Sequence, residues 1–331
     1  MPSSSQMAVP GMAPIPASAS RAVSRSAEDR PPFDAIKVAM STNRPSDRPR
    51  IALIAGPTAS GKSARAIALA EAANGTVINA DASQVYRDLR ILSARPSPEE
   101  EQRVPHLLFG DRDGAQSCSA AQWAEDAKAA IAATQAAGRL PILVGGTGLY
   151  IRTLLDGIAP VPEIDPEIRA AVRLLSSAEA YAALAKEDAA AAARLHPNDT
   201  ARLQRALEVI RSTGIRIAVW RESRVGGIAD SVHIDLETIV TSVPELYARC
   251  DARVDQMIEM GAVAEVAALR ERRLDPGLPV MRAIGVSQLI QYLEGTLPLD
   301  AAVAAIKQAT RNYAKRQRTW LRHQLLEEAR E

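Results

Sequence analysis

Aromatic side chains are scarce in this chain: 3% of 331 residues, as three Trp, six Tyr and two Phe. Leu, Ile, Val and Ala must therefore build the core. Cysteine is scarcer still. Cys118 and Cys250 lie far apart and outside any metal-ligand spacing. A disulfide scaffold is thereby excluded, and two free thiols in a reducing compartment are expected. No segment approaches the roughly 18 consecutive apolar residues of a membrane span, so no membrane partner is expected. An excess of charge of one sign is also missing: 40 Lys and Arg oppose 39 Asp and Glu, for a net charge of +1. Bulk charge names no polyanionic partner, and a nucleic-acid surface would have to come from local segregation of charge. What is present is globular: 47% hydrophobic and 24% charged residues. The length predicts one large domain or two modest ones.

Residues 1–49 are rich in Ser, Pro, Ala and Met, with no hydrophobic period, and are expected to be a disordered extension. From Arg50 the texture changes. Ile51–Ala55 reads as a buried strand, followed by a Gly-rich turn and a helix to about Ala73. Strands are further expected at Thr76–Ala80, Leu107–Phe109 and Pro141–Val144, with an Ala-rich helix over Ser119–Ala137. Alternation of strands and helices implies an α/β fold around a parallel sheet. Pro160, Pro162 and Pro166 then break the chain, and 167–225 reads as helices without strand signal. Ser231–Thr241 returns to strand-like alternation, and the rest is mostly helical. The expected organisation is a catalytic core, 50–160 and 226–325, interrupted by a helical insertion, 161–225.

Gly56-Pro57-Thr58-Ala59-Ser60-Gly61-Lys62-Ser63 satisfies G-x-x-x-x-G-K-[ST] between a strand and a helix. Its glycines let backbone N–H groups wrap a phosphate at a helix N-terminus. Lys62 neutralises phosphate oxygens, and the Ser63 hydroxyl is placed to ligate Mg²⁺. This predicts a P-loop-type core that binds a diphosphate or triphosphate. Asp81 follows the second strand and lies beside this loop in a parallel sheet. It fits three roles: general base, outer Mg²⁺ ligand, or N-cap of the next element. The strand Ile142–Val144 ends in Gly145-Gly146-Thr147, without the acid that nucleotide hydrolysis would need.

Five segments occur in a telling order: GPTASGKS at 56–63, DASQVYRDL at 81–89, GGTGLYIRTLLDG at 145–157, HPNDTARLQRALEVIRSTG at 196–214 and AKRQRTWLR at 314–322. Together they closely resemble the bacterial tRNA dimethylallyltransferases, over about residues 50–323. The resemblance implies transfer of a dimethylallyl group from dimethylallyl diphosphate to N6 of adenosine 37, beside the anticodon, in tRNAs reading codons that begin with U. It implies that the phosphate loop holds the diphosphate of the donor, with Mg²⁺ as cofactor. Asp81 matches the family's base, and Thr147 matches a residue supporting the reacting centre. Arg249 and Arg253, one turn apart on an expected helix, resemble the diphosphate-binding arginines. Ala82, Ser83 and Gln84 match the segment meeting the extruded base. Arg169 and the segment Ala201-Arg202-Leu203-Gln204-Arg205 match tRNA contacts on the insertion. A monomer in the cytoplasm is implied as well.

Arg282 and Gly285 match the family pattern, but Val286-Ser287 stand where many members have Tyr-Arg. The C-terminal helix supports an RNA partner from the residues alone. No acid lies between Asp300 and Glu327, and Arg311, Lys315, Arg318 and Arg322 fall on one helical face. The competing reading of the phosphate loop is a small-molecule or nucleotide kinase, with ATP in the loop and Asp81 activating a hydroxyl.

Overall fold

The computed structural model describes residues 35–37 and 48–326. Most of the expected disordered extension therefore lies outside the described residues. Ala35–Lys37 departs from that expectation. It forms strand β1, antiparallel to a later strand with Ala35 opposite Ile239. It supplies backbone partners to what would otherwise be an open sheet edge.

The remaining strands are β2 (Arg50–Ala55), β3 (Gly75–Asn79), β4 (His106–Leu107), β5 (Leu140–Gly145) and β6 (His233–Ile239). The sheet order is β1-β6-β2-β5-β3-β4, and every pairing except that of β1 is parallel. The α/β expectation holds, with element ends shifted by one or two residues. A short helix at Pro98–Arg103, set by a Ser97–Glu100 capping box, was not anticipated.

Alternation along the strands sorts the core onto two faces. Ile51, Leu53, Ala55, Ile78, Leu143 and Leu236 pack on one face with Trp123 and Ile131 of the helix Ala120–Ala136. Tyr150 and Leu154 of the helix Gly148–Asp156, and Ile306 and Leu321 of the helix Leu299–Leu321, complete that layer. Ala52, Ile54, Val77, Ile142 and Val144 face Ala66, Ile67 and Ala70 of the helix Lys62–Ala72. The chain between Pro166 and Trp220 forms five helices. Their core is separate, built from Val172, Ala180, Leu184, Ala192, Leu203, Ala206 and Leu207. The chain leaves and re-enters the sheet layer side by side, through an antiparallel bridge between Ile158 and Val225. No described helix is long and apolar enough to cross a membrane.

Candidate active site

All five parallel strands point their carboxyl ends at one edge, and the chemistry gathers there. The phosphate loop leaves β2 at Gly56 and enters its helix through Gly61, at φ 91°. Ala59 also holds a positive φ, 61°. Left-handed backbone within the loop is what turns successive N–H groups toward one point. Lys62 is almost wholly buried, and its ammonium donates to the Pro57 carbonyl at 3.3 Å. Burial is the main cause that lowers its pKa to about 8; nearby Asp81 opposes the shift and Arg253 adds to it. Ser60 Oγ is buried with no hydrogen-bond partner in the ligand-free protein. An orphaned buried hydroxyl in this loop suits a site whose polar partner is a ligand.

Arg249 and Arg253, about 190 residues away in the chain, come from the helix Val243–Glu259 to this loop. Arg249 Nη1 donates to the Ser60 carbonyl and Arg253 Nη1 to Thr58 Oγ1, both at 3.4 Å. Burial lowers the pKa of Arg253, against the pull of Asp81. Three cations thus converge on one loop, with Glu245 paired to Arg249 at 2.6 Å and Asp81 acting on Lys62 and Arg253, an arrangement that suits an anionic ligand.

Asp81 is buried at the end of β3. Its backbone is locked by Asn79, whose Oδ1 accepts from the Asp81 N–H at 2.8 Å and whose amide donates to the Asp81 carbonyl at 3.0 Å. Its own Oδ1 accepts from the N–H and hydroxyl of Ser83, at 3.0 and 2.7 Å. Asp81 therefore closes a turn over 81–84 rather than opening an α-helix. Thr147 approaches from the end of β5. Its Oγ1 accepts from the Ala82 N–H at 3.0 Å, and its N–H donates to the Ala80 carbonyl at 3.3 Å. The glycines around it are close approaches. A Cβ on Gly145 would stand 2.1 Å from the Ala80 carbonyl oxygen, and one on Gly148 would stand 2.2 Å from the Trp320 ring.

Other anticipated residues fall differently. Ser63 is half-buried on the first turn of the loop helix. Gln84 is buried, and its amide donates to the carbonyls of Ser93 and Ala94, both at 3.0 Å. In this state its amide braces a neighbouring loop, while Ala82 and Ser83 are only half-buried. On the insertion, Ala201 and Arg202 are exposed, and Arg202 pairs with Asp199 at 3.4 Å. Arg205 pairs with Glu208 at 3.4 Å, and the Gln204 amide donates to the Leu175 carbonyl at 3.0 Å. Leu203 faces inward and is fully buried, because helical periodicity turns it to the insertion's core; its side chain packs rather than presents. Arg169 is half-buried, with Nε lacking a hydrogen-bond partner. Arg282 lies exposed on a short 3₁₀ turn, Val280–Arg282. The expected basic face of the C-terminal helix is smaller than its sequence suggests. Arg311 binds Asp251 at 2.6 Å, one helix across, so that charge is spent on packing.

Sequence reasoning missed Asn79, Gln317 and Tyr313. A fully buried Asn ending an apolar strand was the available signal for the first. The other two lie in a segment whose positive charges drew the attention. It also missed a cluster of arginines at the neck of the insertion. Burial first, and then Arg152, Arg202, Arg224 and Arg205 in that mixed neighbourhood, lower the pKa of Arg221. Asp156 is shared by Arg152 and Arg224, at 3.5 and 3.0 Å. Guanidinium groups from both the core and the insertion therefore crowd one neighbourhood, in which Asp156, Asp199 and Glu208 pair with four of them.

Known proteins resemble this chain over most of its length. The family described as IPP transferase matches residues 84–324. A tRNA dimethylallyltransferase of Sphingopyxis alaskensis is 62% identical over 275 residues, covering 83% of this chain and 90% of that protein. One from Zymomonas mobilis is 53% identical over 285 residues, covering 86% and 91%. Among solved structures, a eukaryotic dimethylallyltransferase acting on tRNA superposes with a TM-score of 0.72 at 28% identity, covering 85% of this chain and 72% of that one. The full-length tRNA isopentenylpyrophosphate transferase of Bacillus halodurans gives 0.59 at 34% identity, covering 83% and 88%.

Proposed function

The chain belongs to the IPP transferase family, and from that premise we propose that it moves a dimethylallyl group from dimethylallyl diphosphate to N6 of adenosine 37 of a tRNA. The observation that carries the assignment to this site is the meeting of two kinds of group at one sheet edge. Lys62, Arg249 and Arg253 converge on the phosphate loop after β2, and a buried carboxylate, Asp81, stands past the end of β3, with β5 between the two strands.

The chemistry divides accordingly. The C1–O bond of the donor breaks, the N6–C1 bond forms, and the N6 proton must leave. An adenine amine is a weak nucleophile because its lone pair is delocalised into the ring. Asp81 accepts that proton during attack, and diphosphate departs with the electron pair of the broken bond. Negative charge grows on the leaving oxygens, where Lys62, the two arginines and the loop N–H groups are already oriented. Thr147 holds the Ala82 N–H and so fixes the turn bearing Asp81.

The residues present fit a Mg²⁺ ion held with the diphosphate. Magnesium keeps several waters and needs one or two protein oxygens. The Ser63 hydroxyl can supply one such oxygen, with the diphosphate and water completing the shell. Among the described residues no cluster of three His, Cys, Asp or Glu could cage a metal alone. Bound there, Mg²⁺ would neutralise charge on the leaving diphosphate.

Adenosine 37 is stacked in the anticodon loop and must be extruded to reach Asp81, which lies at the inner end of this edge. The arginines at the insertion neck suit the phosphates of the stem. Replacing Arg221 and Arg224 together by Ala is expected to weaken tRNA binding and leave the donor KM unchanged. The slope of log K against log salt should fall by about 1.5, one phosphate contact's worth for each charge. Filter binding across a salt series measures it, and an unchanged slope would place the RNA elsewhere.

The deciding assay uses Mg²⁺, labelled dimethylallyl diphosphate and an unmodified tRNA transcript with A at 36, 37 and 38. Label on A37 that disappears with an A37→G transcript is the expected result. Absence of label with folded protein, accompanied by ATP turnover without tRNA, would return the loop to a kinase.

A further inference from the structure

Gln317 is a buried side chain that hydrogen-bonds to both halves of the site described above. It sits near the C-terminal end of the helix Leu299–Leu321 and is almost wholly inaccessible to solvent. Its Oε1 accepts the Thr58 N–H of the phosphate loop at 2.7 Å. Its Nε2 donates to the Gly146 carbonyl at 3.0 Å, one residue before Thr147. The amide orientation follows from its partners, since a backbone N–H can only donate and a carbonyl can only accept.

The contact is tight enough to dictate its neighbour. A Cβ on Gly146 would stand 2.4 Å from Gln317 Nε2 and 2.7 Å from the Gly56 carbonyl oxygen. Glycine at 146 is thus what lets the amide in. One turn earlier on the same helix, the Tyr313 hydroxyl reaches the side chains of both Thr147 and Gln317; burial and the charge of Asp81 push its pKa up. The helix itself is anchored from outside the site, by Arg311 to Asp251 and Lys307 to Asp255, on the helix that carries Arg249 and Arg253.

We propose that Gln317 is a positioning residue for transfer: a clasp that sets the distance between the diphosphate loop and the turn bearing Thr147 and Asp81. It touches neither the reacting carbon nor the amine. Its consequence is geometric. The Thr58 N–H is held by protein, so it is taken out of the phosphate-binding set and the loop keeps one shape. The Gly146 carbonyl is held by the same amide, so the acceptor turn cannot drift from the donor. Displacement between two bound reactants requires their reacting atoms at near-attack separation, and misplacement of about 1 Å can cost about 100-fold. The inference rests on the assignment of the loop to the prenyl donor.

Gln317→Met removes both hydrogen bonds at similar volume, and Gln317→Glu keeps the acceptor for Thr58 while losing the donor to Gly146. In both, kcat for transfer is expected to fall about 10- to 100-fold, while tRNA Kd stays within about twofold of the wild type. The donor KM should change less than kcat. A merely structural role would lower Tm and not produce this split. The sharper readout is a double-mutant cycle with Thr147→Ala. If Gln317 acts through the Thr147 turn, Gln317→Met costs less than about threefold more in the Thr147→Ala protein. Either a kcat within twofold of the wild type, or losses that multiply in the double variant, would overturn the clasp. If Gln317→Met does not fold, Gln317→Glu carries the same test. Wild-type protein without any prenyl transfer would instead remove the donor-site reading.

Discussion

Replacing Asp81 by Asn is expected to abolish most turnover while leaving the fold and the tRNA complex intact. Asn keeps a side-chain carbonyl where the Asp81 Oδ1 accepts from the N–H and hydroxyl of Ser83, so the 81–84 turn survives. Asn79 continues to hold the backbone on both sides of the residue. What is lost is the capacity to take a proton from the amine. General-base removal costs about 10²- to 10⁴-fold in rate. Single-turnover transfer measures this directly, with tRNA Kd and Tm as controls that should move little. Near-normal turnover would assign Asp81 to the turn alone, the role its hydrogen bonds to Ser83 already show.

The second large effect belongs to Lys62, and it carries a pH signature. In the ligand-free protein burial holds this ammonium at a pKa of about 8, against 10.5 for the ordinary side chain. Between those values the unfolded chain binds a proton that the folded one does not. Stability of the ligand-free protein contributed by this group therefore rises with pH across that window, by at most about 1.4 kcal/mol per pH unit. A bound diphosphate reverses the balance, because its charge favours the protonated amine. Binding of a non-reacting analogue of the donor should be accompanied by uptake of about one proton near pH 9 and almost none near pH 7. Affinity should correspondingly fall above pH 8. Calorimetry in two buffers of different ionisation enthalpy checks it.

Lys62→Met supplies the reference, since titration of the ligand itself remains. That variant should lose about 10²- to 10³-fold in donor affinity, the cost of removing one partner from a buried charge pair. Its Tm without ligand should rise, because a thioether replaces a buried ammonium. Equal proton uptake in the two proteins would mean that Lys62 is already charged before the donor arrives.

The phosphate loop was legible from its residues because its spacing is local: Gly56 and Gly61 bound a short turn between a strand and a helix. Its distant partners, Gly145 at one end and Gln317 at Thr58, were not legible. The strands were legible for a similar reason: short apolar runs such as Ile51–Ala55, bounded by turn residues, are too brief for a helix. Asp81 and Thr147 were read from strand ends, resemblance to a known family added their roles together with Arg249 and Arg253, and the structure brings all four to the sheet edge where the loop lies.

Charge read along one helix was less trustworthy. Arg311 counts as a free basic residue in sequence, and in the fold Asp251 neutralises it from the neighbouring helix. Leu203 lay inside a segment matched to tRNA contacts, and helical geometry turns it to the core. The arginines at the insertion neck are spread from Arg152 to Arg224, so no window of sequence shows them as a cluster.

The sequence by itself determined the order of strands and helices, the phosphate-binding loop and the kinds of group that the chemistry uses. These depend on hydrophobic period, turn chemistry and backbone freedom, all properties of neighbouring residues. Only the tertiary structure decided which distant groups meet. Parallel pairing of β2 with β5 and of β5 with β3 carries the loop, Thr147 and Asp81 to adjacent strand ends. The packing of the C-terminal helix then places Gln317 between the loop and Gly146, 259 and 171 residues from its two partners. Contacts across such separations arise from the folded surfaces as a whole, and no local pattern encodes them.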